Sequence, residues 1–190
     1  MEFGEYKKLQ EEGSSWSYDN DWGNQMEEAI LSYLKDAPKH SVILDVGCGE
    51  GRGLEALRRL GFTSLYGIDI STPKVLKAKS VGLNVEEGDF HSLGQFKDKA
   101  FDYLFCSHAI EHSLEPAKVI KECLRISKNG LFITPIDDKP QPPLGQSPHT
   151  HNFYTQDQWK GLFDSLCEVR HTHELKTRIG QEVWTKWYEI

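Results

Sequence analysis

Short apolar, β-branched runs alternate with helical stretches along most of this chain, and such an alternation folds as βαβ units around a parallel sheet. Ser41–Val46 (SVILDV) is nearly all apolar, as a strand covered on both faces must be. Similar runs recur at Ser64–Ile70, Phe101–Ser107 and Gly130–Ile136, with a weaker one near Asn84–Glu86. The intervening segments change period. Asn24–Asp36 sets Met26, Ile30, Leu31 and Leu34 on one helical face and stops before Pro38, while Gly51–Leu60 groups Leu54, Leu57 and Leu60 ahead of Gly61. Pro73–Ser80 opens on proline, Glu115–Ile126 aligns Val119, Ile120, Cys123 and Leu124, and Gln156–Leu166 follows Thr155 with Gln158 in capping-box spacing.

The tail breaks the alternation. Cys167–Leu175 and Glu182–Ile190 flank Arg178-Ile179-Gly180-Gln181 with no room for a crossover helix, so they are expected to pair as an antiparallel hairpin. One long irregular segment, Asp137–Asn152, holds Pro140, Pro142, Pro143 and Pro148; loops of that length in a compact domain are usually functional or disordered. Residues 1–22 are polar with interspersed aromatics and read as an N-terminal arm, in which Trp16, Tyr18 and Trp22 are candidates for a lid. Residues 23–190 read as a single domain, since 190 residues make one core of ordinary size.

Charge and composition narrow the function classes. With 29 acidic against 22 basic residues the net charge is −7, and no Lys/Arg block exceeds two residues. Sequence-independent nucleic-acid binding needs a basic surface, so a small acceptor is favoured over DNA or RNA. No apolar run is long enough to span a bilayer and the first residues carry neither a signal-peptide core nor a lipidation motif, so a cytoplasmic protein without a membrane partner is expected. Cys48, Cys106, Cys123 and Cys167 match no zinc or redox spacing and read as reduced core thiols. Nothing in the sequence sets the oligomeric state.

The first strand runs straight into Gly47-Cys48-Gly49-Glu50-Gly51-Arg52-Gly53 and then a helix, a layout in which glycines let the backbone approach a ligand at the carboxyl edge of a sheet. A dinucleotide fingerprint would need glycine where Arg52 stands. The spacing is instead DxGxGxG, led by Asp45. Three further stations follow in order: Asp69 ending the second strand, Gly88-Asp89-Phe90 after the third, and Ser107 ending the fourth. In these motifs the chain resembles the class I S-adenosylmethionine-dependent methyltransferases, particularly the type 11-like group. The resemblance implies an α/β, Rossmann-like fold: a mostly parallel seven-stranded sheet of order 3-2-1-4-5-7-6, finished by a C-terminal antiparallel hairpin, with helices on both faces. It implies S-adenosyl-L-methionine as cofactor, held by Asp45, Gly47, Cys48, Gly49, Asp69, Ile70, Asp89, Phe90 and Ser107. In that scheme Asp69 accepts the ribose hydroxyls, Ile70 covers the adenine, and Asp89 takes its amine. The Phe90 N–H meets the ring edge, and the Ser107 carbonyl receives the methionine ammonium.

The acceptor side of that fold lies over strands four and five. There His108–Ser113 and the segment from Pro135 to His151 concentrate His108, His112, His149 and His151, four of the eight histidines, around Glu111. HAIEH followed by HTH resembles, in part, the metal-dependent methyltransferases that modify the 2′-hydroxyl of small-RNA 3′ ends, with His108 in place of the first glutamate of their ExxEH motif. That resemblance implies a divalent metal on His108, Glu111, His112 and His151, a donor set that favours zinc, iron, nickel or manganese over magnesium. Type 11-like enzymes carry similar segments without metal, and there His108, His112 and His151 are candidates for a general base, His108 foremost because it adjoins Ser107. The expected function is methyl transfer to an oxygen or nitrogen of a small-molecule acceptor. The alternatives are RNA 3′-end 2′-O-methylation and a non-catalytic cofactor-binding subunit. His40 and His91 fall in turns and read as solvated; His171 and His173 alternate on a strand, face solvent and receive no role.

Overall fold

The computed structural model describes residues 21–113, 115–136, 155–168, 170–176 and 182–188, with Gly4, Lys7, Lys8 and Glu11. Its strands are β1 (Val42–Val46), β2 (Ser64–Asp69), β3 (Val85–Glu87), β4 (Phe101–Ser107), β5 (Ser127–Pro135), β6 (Arg170–Lys176) and β7 (Glu182–Tyr188). They form one seven-stranded sheet in the order β3-β2-β1-β4-β5-β7-β6, the order the resemblance implied. β1 to β5 run parallel, and β7 is antiparallel to both β5 and β6. The helices are α1 (Asp21–Tyr33), α2 (Arg52–Arg59), α3 (Thr72–Ser80), α4 (Pro116–Ile126) and α5 (Gln156–Leu166).

Period-two alternation along the buried strands divides the core between the faces. Ile43, Phe105, Leu131 and Ile133 pack with Ala29 and Ile30 of α1, Leu34 just after it, Leu54 and Leu57 of α2, and Val75 and Ala78 of α3. Leu44, Val46, Leu104, Cys106 and Phe132 pack on the other face with Val119, Ile120, Cys123 and Ile126 of α4, and Trp159 and Phe163 of α5. All four cysteines are free and buried, as expected of core thiols. β7 lies against β5 in a register that sets Gly130 opposite Trp187. A Cβ at Gly130 would lie 1.8 Å from the Trp187 ring, so the indole occupies the space a side chain would need.

Element boundaries differ from the sequence reading most at α1, at β5 and at the start of β6, which is Arg170 and not Cys167. α1 starts at Asp21 and ends at Tyr33, because the chain tightens into a turn in which the Ala37 N–H reaches the Leu34 carbonyl at 3.1 Å. β5 starts at Ser127, directly after α4. Its polar opening was illegible as a strand because its partners lie on β4: Lys128 Nζ meets Asp102 Oδ1 at 2.8 Å, and Asn129 Nδ2 donates to the Asp102 carbonyl at 2.9 Å. The Asp137–Asn152 loop, Trp16, Tyr18 and the Trp22 side chain lie outside the described residues. Of the arm, the Lys7 ammonium contacts the Glu87 carboxylate at the end of β3.

Candidate functional site

Strand β1 delivers its loop to the carboxyl edge of the sheet, where Gly47 has φ 75° and Gly49 φ 54°, backbone angles that L side chains rarely adopt. The Gly47 and Cys48 N–H groups both donate to the Ile68 carbonyl at 2.9 Å, which fastens the loop to β2. A Cβ at Gly47 would lie 2.4 Å from Ala109 Cβ, so this loop also touches the segment after β4. In front of Gly49, a Cβ would meet nothing within 4 Å among the described residues.

Asp69, buried at the end of β2, braces that loop. Its Oδ2 accepts the Gly49 N–H and its Oδ1 the Ser71 N–H, both at 2.8 Å. A carboxylate oxygen has more than one acceptor site, so each can still take a hydroxyl. Asp45 is buried beneath, where desolvation and then the Asp69 charge push its carboxyl well above the usual range. Ile70 is buried beside Asp69. A carboxylate aimed along the loop, glycines with an open front and a buried apolar neighbour fit the ribose, methionine and adenine parts of S-adenosylmethionine, and these residues would hold it.

At the adenine station the structure corrects the reading of His91. This residue is buried, not solvated. Its Nδ1 lies 2.6 Å from Asp89 Oδ1, its Nε2 lies 2.8 Å from Ser113 Oγ, and its ring stacks on Phe90 with centroids 4.7 Å apart. Desolvation opposes the Asp89 charge, but the His91 ring and N–H outweigh it and hold the carboxyl below its ordinary range. Both contacts fall on Oδ1, and among the described residues none falls on Oδ2, which suits the role expected of Asp89.

Past Ser107 the chain turns sharply. His108 has φ 49°, an uncommon value for a residue with a side chain, and its N–H donates to the Ile133 carbonyl at 3.0 Å. The ring is thereby lodged between two strands: Nδ1 lies 3.1 Å from Ser107 Oγ, and Nε2 lies 3.0 Å from Glu182 Oε1. Glu182 also accepts the Trp184 indole N–H at 2.9 Å. Desolvation opposes its charge, yet these donors keep its carboxyl below the ordinary range. Desolvation likewise works against a charged His108, but Glu182 and Glu111 outweigh it and raise the imidazole.

Ile110–His112 form one turn of 3-10 helix, which buries Glu111 to 3% exposure and leaves its Oε2 without a hydrogen-bond partner among the described residues. Burial pushes the Glu111 carboxyl up to about 7. His112 Nε2 lies 3.9 Å from Glu111 Oε1. Of the metal set expected from sequence, His108 is turned to Glu182 and His151 lies outside the described residues. Among the described residues, ligand atoms lie within 4.8 Å of one another at Asp164, His171 and His173, a different place, and not at His108, Glu111 and His112. Among the described residues, His108, Glu111 and His112 do not converge as the ligands of a metal would. Glu182 was missed in the sequence; only the β5–β7 register, which pairs it with Pro135, brings it to this edge.

Residues 44–134, which include every residue expected to hold the cofactor, match a family model described as a methyltransferase domain. Over this stretch, just under half of its length, the chain is similar to methyltransferase domains. The chain is 33% identical over 98 residues to a ubiquinone biosynthesis O-methyltransferase of Paracidovorax citrulli, a match covering 48% of this chain and 41% of that protein. It is 32% identical over 107 residues to the protein of that name in Hahella chejuensis, covering 52% of this chain and 44% of the relative. The chain thus spans less than half the length of these curated relatives. The fold is shared more widely. Magnesium protoporphyrin IX methyltransferase of Synechocystis PCC 6803 with bound S-adenosylmethionine superposes at a TM-score of 0.69 with 16% identity, over 99% of this chain and 91% of that one. The [4+2]-cyclase SpnF does so at 0.72 with 16% identity, over 93% and 86%. Among the described residues no helix is long and apolar enough to cross a membrane.

Proposed function

We propose that this chain transfers a methyl group from S-adenosylmethionine to an oxygen or nitrogen of a small-molecule acceptor, with His108 receiving the acceptor's proton. The observation that carries the reading is His108 itself, held in a left-handed backbone between Ser107 and Glu182 at the carboxyl end of β4. When bound, the cofactor supplies a methyl on a positively charged sulfur that leaves by in-line displacement, so positioning does much of the work. Asp69 and the Gly47–Gly49 loop orient that ligand, and Asp89 receives its exocyclic amine. Glu182 keeps His108 Nε2 protonated, which leaves the lone pair on Nδ1, beside Ser107. An acceptor hydroxyl or amine that replaces the Ser107 contact gives its proton to Nδ1. Glu182, whose carboxyl stays below its ordinary range and so remains charged, stabilises the resulting imidazolium.

The curated relatives named O-methyltransferases favour oxygen as the acceptor atom. The net charge of −7 favours a small molecule over RNA 3′ ends. Free, buried cysteines suit the cytoplasm, where we place the protein. The domain is taken as 23–190 with 1–22 as its arm. The test is a panel of small hydroxyl- and amine-bearing acceptors, with S-adenosylhomocysteine release as readout. Release that depends on one acceptor and is lost in His108→Ala supports the reading; acceptor-dependent release at the parental rate in His108→Ala removes the base from it.

A further inference from the structure

On the sheet edge distant from the cofactor loop, Asp164, His171 and His173 stand together although the sequence reading gave the histidines to solvent. Residues two apart on a strand share a face. On β6 that face is turned toward α5, where Asp164 sits in the last turn. Both imidazoles converge on one atom: His171 Nε2 and His173 Nε2 each lie 2.8 Å from Asp164 Oδ1. Their ring centroids are 5.2 Å apart, and the three ligand atoms all lie within 4.8 Å of one another.

We propose that Asp164, His171 and His173 form a binding site for a zinc-like divalent transition cation, separate from the methyl-transfer site. The donor chemistry selects the ion: two imidazole nitrogens and one carboxylate oxygen suit zinc, cobalt or nickel, whereas magnesium and calcium call for an all-oxygen shell. The support around the ligands is already built. His173 Nδ1 lies 2.9 Å from the hydroxyl of the fully buried Thr185, which orients the ring so that Nε2 is its outward nitrogen. His173 and Thr185 are also register partners across β6 and β7, so that bond is fixed by the ladder. Ligands about 2.05 Å from a tetrahedral ion stand roughly 3.3 Å apart, so admitting the ion asks each nitrogen to withdraw from Asp164 by about half an ångström. In the exchange the cation displaces the protons now shared between imidazole and carboxylate. Asp164 is the most exposed of the three side chains, so further coordination positions open to water on its side.

Such an ion joins the C-terminal turn of α5 to the edge hairpin. α5 is also tied to β5, since the Trp159 indole N–H donates to the Pro135 carbonyl at 3.1 Å. The cation therefore clamps the helix that roofs the acceptor end of the sheet without touching the reacting groups.

The test uses the full chain, stripped with EDTA and titrated with Zn²⁺ by calorimetry, with Co²⁺ absorption as a second readout of the ligand shell. About one Zn²⁺ is expected per chain, bound at least about tenfold more weakly in His173→Gln and in Asp164→Asn and unaffected in His112→Gln. Zn²⁺ is expected to raise the parent's Tm and not that of these two variants, and excess Mg²⁺ is expected not to compete. Should His173→Gln fail to fold, Asp164→Asn, at an exposed helix end, carries the comparison alone. Absence of Zn²⁺ binding up to millimolar concentration overturns the proposal and leaves a proton-held cluster. So does parental affinity in Asp164→Asn, or loss of binding in His112→Gln.

Discussion

Glu111 is a carboxylic acid kept near neutrality by its surroundings, and that has a measurable consequence. Its folded pKa of about 7 lies above the ordinary 4.5, so between those values the native state holds a proton that the unfolded chain has released. The contribution to stability is full below pH 4.5 and is lost as the pH rises to 7, with a slope of about 1.4 kcal/mol per unit. Urea denaturation at pH 5 and pH 8 is expected to show the parent losing more stability across that interval than Glu111→Gln; equal losses contradict the burial argument. Glu182 acts in the other direction on catalysis. Because it raises the His108 imidazole, Glu182→Gln is expected to move the rising limb of kcat/KM to lower pH and to reduce the plateau. An unshifted profile in that variant means that His108 is not the base. These two carboxylates also mark the limit of what the sequence discloses. Gly47, Gly49 and Asp69 were legible because a turn and a strand end are local matters, whereas Glu182 reaches His108 only through the pairing of β7 with β5. His91 was misread for the same reason: its partner Ser113 lies across the fold.

Elements with local signals were legible almost to the residue. α5 keeps the span read from the sequence because Thr155 Oγ1 accepts the Gln158 N–H at 3.3 Å and Gln158 Oε1 accepts the Thr155 N–H at 2.8 Å, both within one turn. The hairpin of β6 and β7 was also legible from its short connection. Its insertion with β7 inside and β6 at the edge came only with the family resemblance, since no pattern within either strand says which one meets β5. The structure supplies the reason in Gly130, whose missing side chain admits the Trp187 ring. Gly130→Ala is therefore expected to cost about 1–3 kcal/mol in denaturant unfolding, because the ring is fully buried and a forced methyl displaces it. Unchanged stability would show that β7 can shift away from β5 at no cost.

Across the whole molecule the residues expected to hold the cofactor lie on the parallel half of the sheet and Glu182 on its antiparallel end, so the proposed methyl transfer requires both to meet over β4 and β5. The fold alone does not fix that chemistry, as the likeness to a [4+2]-cyclase illustrates. What distinguishes this chain is the set of side chains at the carboxyl edge, and the claim that they receive S-adenosylmethionine comes first. Calorimetric titration with S-adenosylhomocysteine, of the parent and of Asp69→Ala, tests it most directly. Saturable binding by the parent is predicted, weakened in Asp69→Ala by about 1.5–3 kcal/mol, the worth of hydrogen bonds to a charged group. No binding by the parent, or undiminished binding by Asp69→Ala, would contradict the account.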